Sequence, residues 1–159
     1  MSTADFVLGD IPSLEGSPPE VLIIAAPYYR DVADGMVGGA RAVLEEVGAS
    51  HETVEIAGAY ELPQALRLVA TGRRRFDGFI AIGCVVKGET DHYDFICRAA
   101  MDGMMNVALD HALCLGTALL TVDTLDQARA RSGSEHNKGA EAAVAMLRQI
   151  ALARRLGSA

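Results

Sequence analysis

A chain of 159 residues that is half hydrophobic, 22% charged and of mean hydropathy +0.21 is too apolar to stay disordered and long enough to bury a core of its own. A net charge of −7 and a pI near 5.0 exclude a general nucleic-acid binder, which needs a basic field against phosphate. With 5% aromatic residues and no Trp, the composition suits close-packed α/β layers better than a β-sandwich.

Residues 1–19 form a polar lead-in ending Gly16-Ser17-Pro18-Pro19, where the prolines forbid helix and suggest an extended arm. Residues 21–26, Val-Leu-Ile-Ile-Ala-Ala, read as a buried strand. Met36, Ala40, Val43, Leu44 and Val47 repeat at helical spacing, so residues 31–47 are a predicted helix, ended by Gly48. A short strand follows over 51–56. Leu62, Ala65, Leu66 and Val69 mark a second helix, stopped by Gly72. The run from Phe76 to Val86 is apolar throughout, as in a central strand covered on both faces. A long helix is predicted over 90–111 with Thr90 as its N-cap, a strand over 115–122, a short helix over 125–131 and a final helix over 137–156.

This alternation predicts a three-layer αβα sandwich around a four-stranded, mainly parallel, flavodoxin-like sheet. Residues 20–159 then form a single domain behind the 1–19 arm, which can add an edge strand to a neighbouring subunit. No stretch reaches the ~20 apolar residues of a membrane helix, and Met1-Ser2-Thr3-Ala4-Asp5 does not start like a signal peptide. Cys84, Cys97 and Cys114 are odd in number and lie in apolar runs, as expected of free thiols in the cytoplasm. The basic run Arg73-Arg74-Arg75 reads as a solvated turn. In the 90–111 helix, Ile96, Ala100, Gly103, Met104 and Val107 make one apolar face, and Met101, Met105 and Leu109 make a second stripe. A surface helix needs only one, so the second predicts another subunit.

Ligands of open α/β sheets bind beyond the carboxyl ends of the strands. Three such ends carry unusual residues. Lys87-Gly88-Glu89-Thr90-Asp91-His92 joins a flexible Gly88 to a helix N-terminus suited to a phosphate, with His92 beside it to move protons. Tyr28-Tyr29 offers a stacking platform for a flat ring. Gly58-Ala59-Tyr60-Glu61 offers backbone groups and a carboxylate to a heterocycle and its hydroxyls. Each segment also has a plainer reading, as a capped helix, a core edge or an acidic first turn. Arg131 and Lys138 are further cations that can reach an anion, or ordinary surface charge. No Walker loop, GxSxG elbow, HExxH or paired cysteines occur, so no metal site is expected, and a nicotinamide cofactor is disfavoured.

Four segments in order resemble the lumazine synthase family: Gly58-Ala59-Tyr60-Glu61-Leu62-Pro63, Gly83 through Asp94, Leu120-Thr121-Val122-Asp123-Thr124 with Gln127-Ala128, and Asn137-Lys138-Gly139. The resemblance implies a transferase of riboflavin biosynthesis. Its reaction condenses 5-amino-6-(D-ribitylamino)uracil with 3,4-dihydroxy-2-butanone 4-phosphate, without metal or organic cofactor. It implies stacking on Tyr28, ring-edge and ribityl contacts from Ala59, Tyr60 and Glu61, and further pocket walls from Cys84, Val85 and Val86. Gly88, Glu89 and Thr90 cradle the phosphate, and His92 transfers protons. Thr117 and Arg131 come from the adjacent subunit, Arg131 to the phosphate with Lys138 near it. Three departures stand out. Thr117 replaces a bulky residue common in relatives, Ala130 replaces a glutamate, and the turn Ser132-Gly133-Ser134-Glu135-His136-Asn137 is shorter than in capsid-forming members. The short turn favours a free homopentamer over a sixty-subunit shell. A non-catalytic flavin- or lumazine-binding oligomer is the alternative, but storage would not need His92 or the phosphate loop.

Overall fold

The computed structural model describes residues 9–157. Four segments become strands: β1 (Glu20–Ala25), the polar β2 (Ser50–Glu55), β3 (Gly78–Val86) and β4 (Leu115–Val122). They pair in the order β2-β1-β3-β4, all parallel. β1 and β3 are central and buried almost throughout, whereas the edge strand β4 alternates (Thr117 and Thr121 exposed, Ala118 and Leu120 buried). The helices α1 (Arg30–Glu46), α2 (Leu62–Ala70), α3 (His92–Asp110), α4 (Leu125–Arg129) and α5 (Lys138–Leu156) fill the connections and the C-terminal side. The predicted αβα sandwich is therefore present, with element ends shifted by one or two residues.

The two faces are unequally covered. Ile23, Ile80 and Ile82 pack with Met36, Ala40 and Leu44 of α1 and Ala143, Met146 and Leu147 of α5. On the other face, Leu22, Ile24 and Phe79 meet Leu62 and Leu66 of α2 and only Ala100, Met104 and Val107 of α3. The first face tolerates no excess volume. A Cβ on Gly139 would lie 1.9 Å from the Met36 carbonyl oxygen, and one on Gly116 would lie 2.0 Å from that of Ala142. Glycine at these positions lets α5 settle directly on α1 and β4.

Three details differ from the sequence expectations. Thr90 does not cap α3: the helix begins at His92 and the cap position falls on Asp91, whose αR backbone (φ −68°, ψ −2°) makes no side-chain cap. A capping side chain reaches back to the first turn from an extended residue, which this chain does not provide there. A 3-10 turn over Ala59–Glu61 precedes α2. Arg74 is not merely solvated; its guanidinium pairs with Glu20 and Glu52 and lies 4.6 Å over the Phe76 ring. The part of the predicted arm before residue 9 lies outside the described residues. The remainder runs along α5, where Arg148 donates to the Asp10 carbonyl (3.1 Å) and Arg154 to that of Glu15 (2.6 Å).

The glycine packing gives a direct test. Gly139→Ala forces the methyl into backbone and is expected to destabilise by about 1–3 kcal/mol, lowering Tm by several degrees in calorimetry. Gly38→Ala, on exposed α1 with nothing within 4 Å of the new methyl, is expected to stabilise by about 0.5–1 kcal/mol.

Candidate active site

Because all four strands are parallel, their carboxyl ends and the N-termini of the following helices share one edge. The strand order reverses between β1 and β3, the position at which such sheets open a crevice. The turn after β1 carries Tyr28 and Tyr29, and the loop after β3 carries residues 87–92. The structure brings these segments to the same edge as the 3-10 turn of Ala59, Tyr60 and Glu61.

Tyr28 is 76% exposed and Tyr60 52%, so both rings present free faces. Tyr29 instead packs on the core, edge-to-face with Tyr28 at a centroid distance of 5.1 Å, and props the outer ring. Its phenol is held neutral, its pKa raised by burial and then by Tyr28 and Cys84. Arg30, next in the chain, donates both Nη groups to the Glu55 carboxylate (2.5 and 3.1 Å), locking this turn to the end of β2. The Cys84 side chain is buried beneath the edge, while Val85 and Val86 are half-buried.

The loop of Gly88, Glu89, Thr90, Asp91 and His92 is exposed. Gly88 does not adopt a left-handed conformation; what it contributes is open space, since a Cβ there would meet nothing within 4 Å. Capping divides the helices in a telling way. α4 is capped by Thr124, and α5 by Asn137, whose Oδ1 accepts from the Gly139 and Ala140 amides. α1, α2 and α3, which rise from the Tyr28, Tyr60 and His92 segments, have no side-chain cap. At α2 the Leu62 amide already bonds the Ala59 carbonyl and Pro63 has no N–H, and at α1 the Asp31 carboxylate accepts from the first amides, so α3 is the helix whose uncapped start and dipole best suit an anion.

Thr117 stands apart, and the two further cations are engaged within the chain. Thr117 pairs with Ala81, five positions before the Val86–Val122 pair that ends the ladder, which is about 16 Å at 3.3 Å per residue. It lines a groove of about 300 Å³ with Met101, Met105 and Leu109 on the thinly covered face. Arg131 donates to the Gln127 carbonyl of its own helical turn (2.8 Å). Lys138 is engaged by Glu141, so an anion would compete with that carboxylate. A cavity of about 350 Å³ lies at the opposite, amino end of the sheet, bounded by Arg74, Phe76, His111 and Arg154, away from these groups. Among the described residues no group of three or more His, Cys, Asp or Glu is placed to hold a metal ion.

The family model for 6,7-dimethyl-8-ribityllumazine synthase matches residues 18–154. Proteins of that name from Paramagnetospirillum magneticum and Methylorubrum populi are 41% and 39% identical, over 87% and 95% of this chain and 97% and 91% of their own lengths. The 6,7-dimethyl-8-ribityllumazine synthase 1 of Rhizobium meliloti is 38% identical over 89% of this chain and 95% of its own. The chain belongs to the lumazine synthase family.

Two parts of the family-like pattern acquire structural explanations. Asn137 of the Asn-Lys-Gly segment caps α5, and its Nδ2 also donates to the carbonyls of Gly35 (2.9 Å), Ser132 (3.2 Å) and Gly133 (3.2 Å). Gly139 permits the α1–α5 contact. The Thr124–Gln127 pair is a local cap, with Gln127 Oε1 accepting from the Asp123 amide at 2.9 Å. That spacing was readable in the sequence. The Asp31–Arg129 ion pair (2.9 Å) was not, because its partners are 98 residues apart.

Burial, with smaller effects of Asp31 and Cys97, pushes the Cys84 thiol up to about 11 from 9.0. The folded value lies above the unfolded one. The neutral thiol's contribution is therefore complete below about pH 9 and lost as pH rises from about 9 towards 11. At pH 8, Cys84 is expected to react with a thiol reagent roughly 10²-fold more slowly than an exposed cysteine. Cys84→Ala should flatten part of the alkaline fall in Tm. Equal labelling rates for Cys84 and an exposed cysteine would contradict the burial argument.

Proposed function

We propose that this chain makes 6,7-dimethyl-8-ribityllumazine in riboflavin biosynthesis, condensing 5-amino-6-(D-ribitylamino)uracil with 3,4-dihydroxy-2-butanone 4-phosphate and releasing phosphate and water. The observation that carries the site assignment is the exposed Tyr28 face and the uncapped 88–92 junction at one edge of the sheet, on either side of its strand reversal. The uracil ring stacks on Tyr28. Ala59, Tyr60 and Glu61 hold its edge and ribityl chain, with Cys84, Val85 and Val86 as the wall. Gly88, Glu89 and Thr90 receive the phosphate on backbone amides at the start of α3, and Lys138 adds to the anion's field. His92, at the first position of α3, moves protons as the amine attacks the ketone and water and phosphate depart. Holding both substrates in register supplies most of the acceleration.

The site is shared between subunits. Thr117 lies about five strand positions from its own chain's site, beside the exposed Met101, Met105 and Leu109. A neighbour seated on that face buries the stripe and gains Thr117 and Arg131, the latter for its phosphate. The assembly is a free homopentamer, supported by the tight 132–137 turn that a Ser132–Asn137 bridge closes. The location is the cytoplasm, where the free thiols Cys84, Cys97 and Cys114 stay reduced; no described helix is long and apolar enough to cross a membrane.

Absorbance-monitored condensation of the purified substrates tests the chemistry. His92→Ala is expected to slow turnover by roughly 10²-fold or less, because acid–base help is modest where positioning dominates. An unchanged rate removes His92 from proton transfer. Arg131→Ala is expected to raise KM for the phosphorylated butanone at least tenfold and leave that for the uracil nearly constant; equal rises contradict its role. Sedimentation velocity decides the assembly: a species of about five chains supports the reading, and a shell of about sixty overturns it.

A further inference from the structure

α4 spans five residues, too few to hold its own position, yet it sets the place of Arg131 two residues beyond its end. Its start is fixed by the Thr124 cap and the Gln127 bond to the Asp123 amide. Its far end is tied to α1 by Arg129, whose Nε donates to Asp31 Oδ2 at 2.9 Å. Arg131 continues the turn that ends α4, its amide bonded to the Ala128 carbonyl at 3.0 Å, so where α4 is held decides where the half-buried Arg131 begins. The Arg131 backbone is fixed on its distal side by the bond from the Lys138 amide to its carbonyl (2.8 Å). The guanidinium leans on the Gln127 carbonyl, and Ala130 offers it no carboxylate.

Both partners of the Arg129–Asp31 pair are more than half exposed, so it adds little to global stability. Its effect is orientation. Asp31 also sits in the first turn of α1, three residues after Tyr28, so the pair joins α4 to the turn that carries the stacking ring. We propose that the Asp31–Arg129 ion pair is a positioning element for substrate binding, holding α4 so that Arg131 meets the phosphate of the butanone substrate. The inference rests on the assignment of Arg131 to that phosphate. The direction of the Asp31 titration agrees: the bond from Arg129 lowers its carboxyl pKa, keeping the anion in place at neutral pH.

The test is steady-state kinetics with each substrate varied separately, on Asp31→Asn, Arg129→Gln and the double variant, alongside Arg131→Ala. Asp31→Asn keeps the shape of its side chain and Arg129→Gln keeps a polar stem without the guanidinium; sedimentation and thermal melts confirm intact assemblies. Each single variant is expected to raise KM for the phosphorylated butanone three- to tenfold, with kcat and the uracil KM within twofold of wild type. The double variant should be no worse than the worse single, because both remove one interaction. Wild-type phosphate KM in both singles, parallel rises in both KM values, or fully additive effects would each overturn the positioning role. If Arg131→Ala raises the phosphate KM but the singles do not, only the positioning role fails. If Arg131→Ala itself leaves that KM unchanged, the phosphate assignment fails and this inference falls with it.

Discussion

Parallel pairing of the four strands is the constraint from which the rest follows. It forces every strand-to-helix turn onto one edge of the sheet and aims the N-terminus of each following helix at that edge. The sheet can be parallel only because both faces are covered by crossover helices, and that in turn requires β1 and β3 to be apolar on both sides. The residues that bury the core and those that would bind substrate are thus successive segments of the same strands: Ile24 and Ala25 lead into Tyr28, and Cys84 and Val86 lead into the 88–92 loop.

The two faces then divide the labour. On the α1/α5 face, glycine contacts and the Asn137 hub fix helix against helix with almost no room for movement. The α2/α3 face leaves Met101, Met105 and Leu109 exposed over a groove. Burying apolar surface is favourable when a partner supplies the other wall, so a well-packed back and an exposed front suit a chain that associates with copies of itself. Thr117 belongs to that exposed front, which is why, in the proposed shared site, a residue far from its own chain's crevice can serve a neighbour's.

Periodicity made the elements legible, since β4 and α5 are long runs with little competing signal. The second stripe of α3 was equally visible, because an unneeded apolar row has no other physical account. Thr90 misled because cap preference is a local rule. The backbone before α3 is already αR at Asp91, a geometry that the loop as a whole decides. The roles of Asn137 and Gly139 depended on where α1 lies, and the Asp31–Arg129 pair on a contact across 98 residues, so neither could be read from neighbours in the chain.

Electrostatics gives the proposed sharing of the site between subunits a reason. The chain carries a net charge of −7, and the loop proposed for phosphate contains Glu89 and Asp91 with Lys87 as its one cation. Net charge therefore opposes a phosphate dianion, and its binding must come from directed amides and the α3 dipole, which act over a few ångströms and leave the long-range field negative. Such a cradle is incomplete without a cation brought from outside the loop, and Arg131 is held at the end of a short, tethered helix. On the proposed sharing of the site, a subunit that completes its neighbour's cradle makes catalytic competence conditional on assembly. Substrate that spans the two chains then stabilises the assembly in return, by the same mass action that links any ligand to the state it prefers.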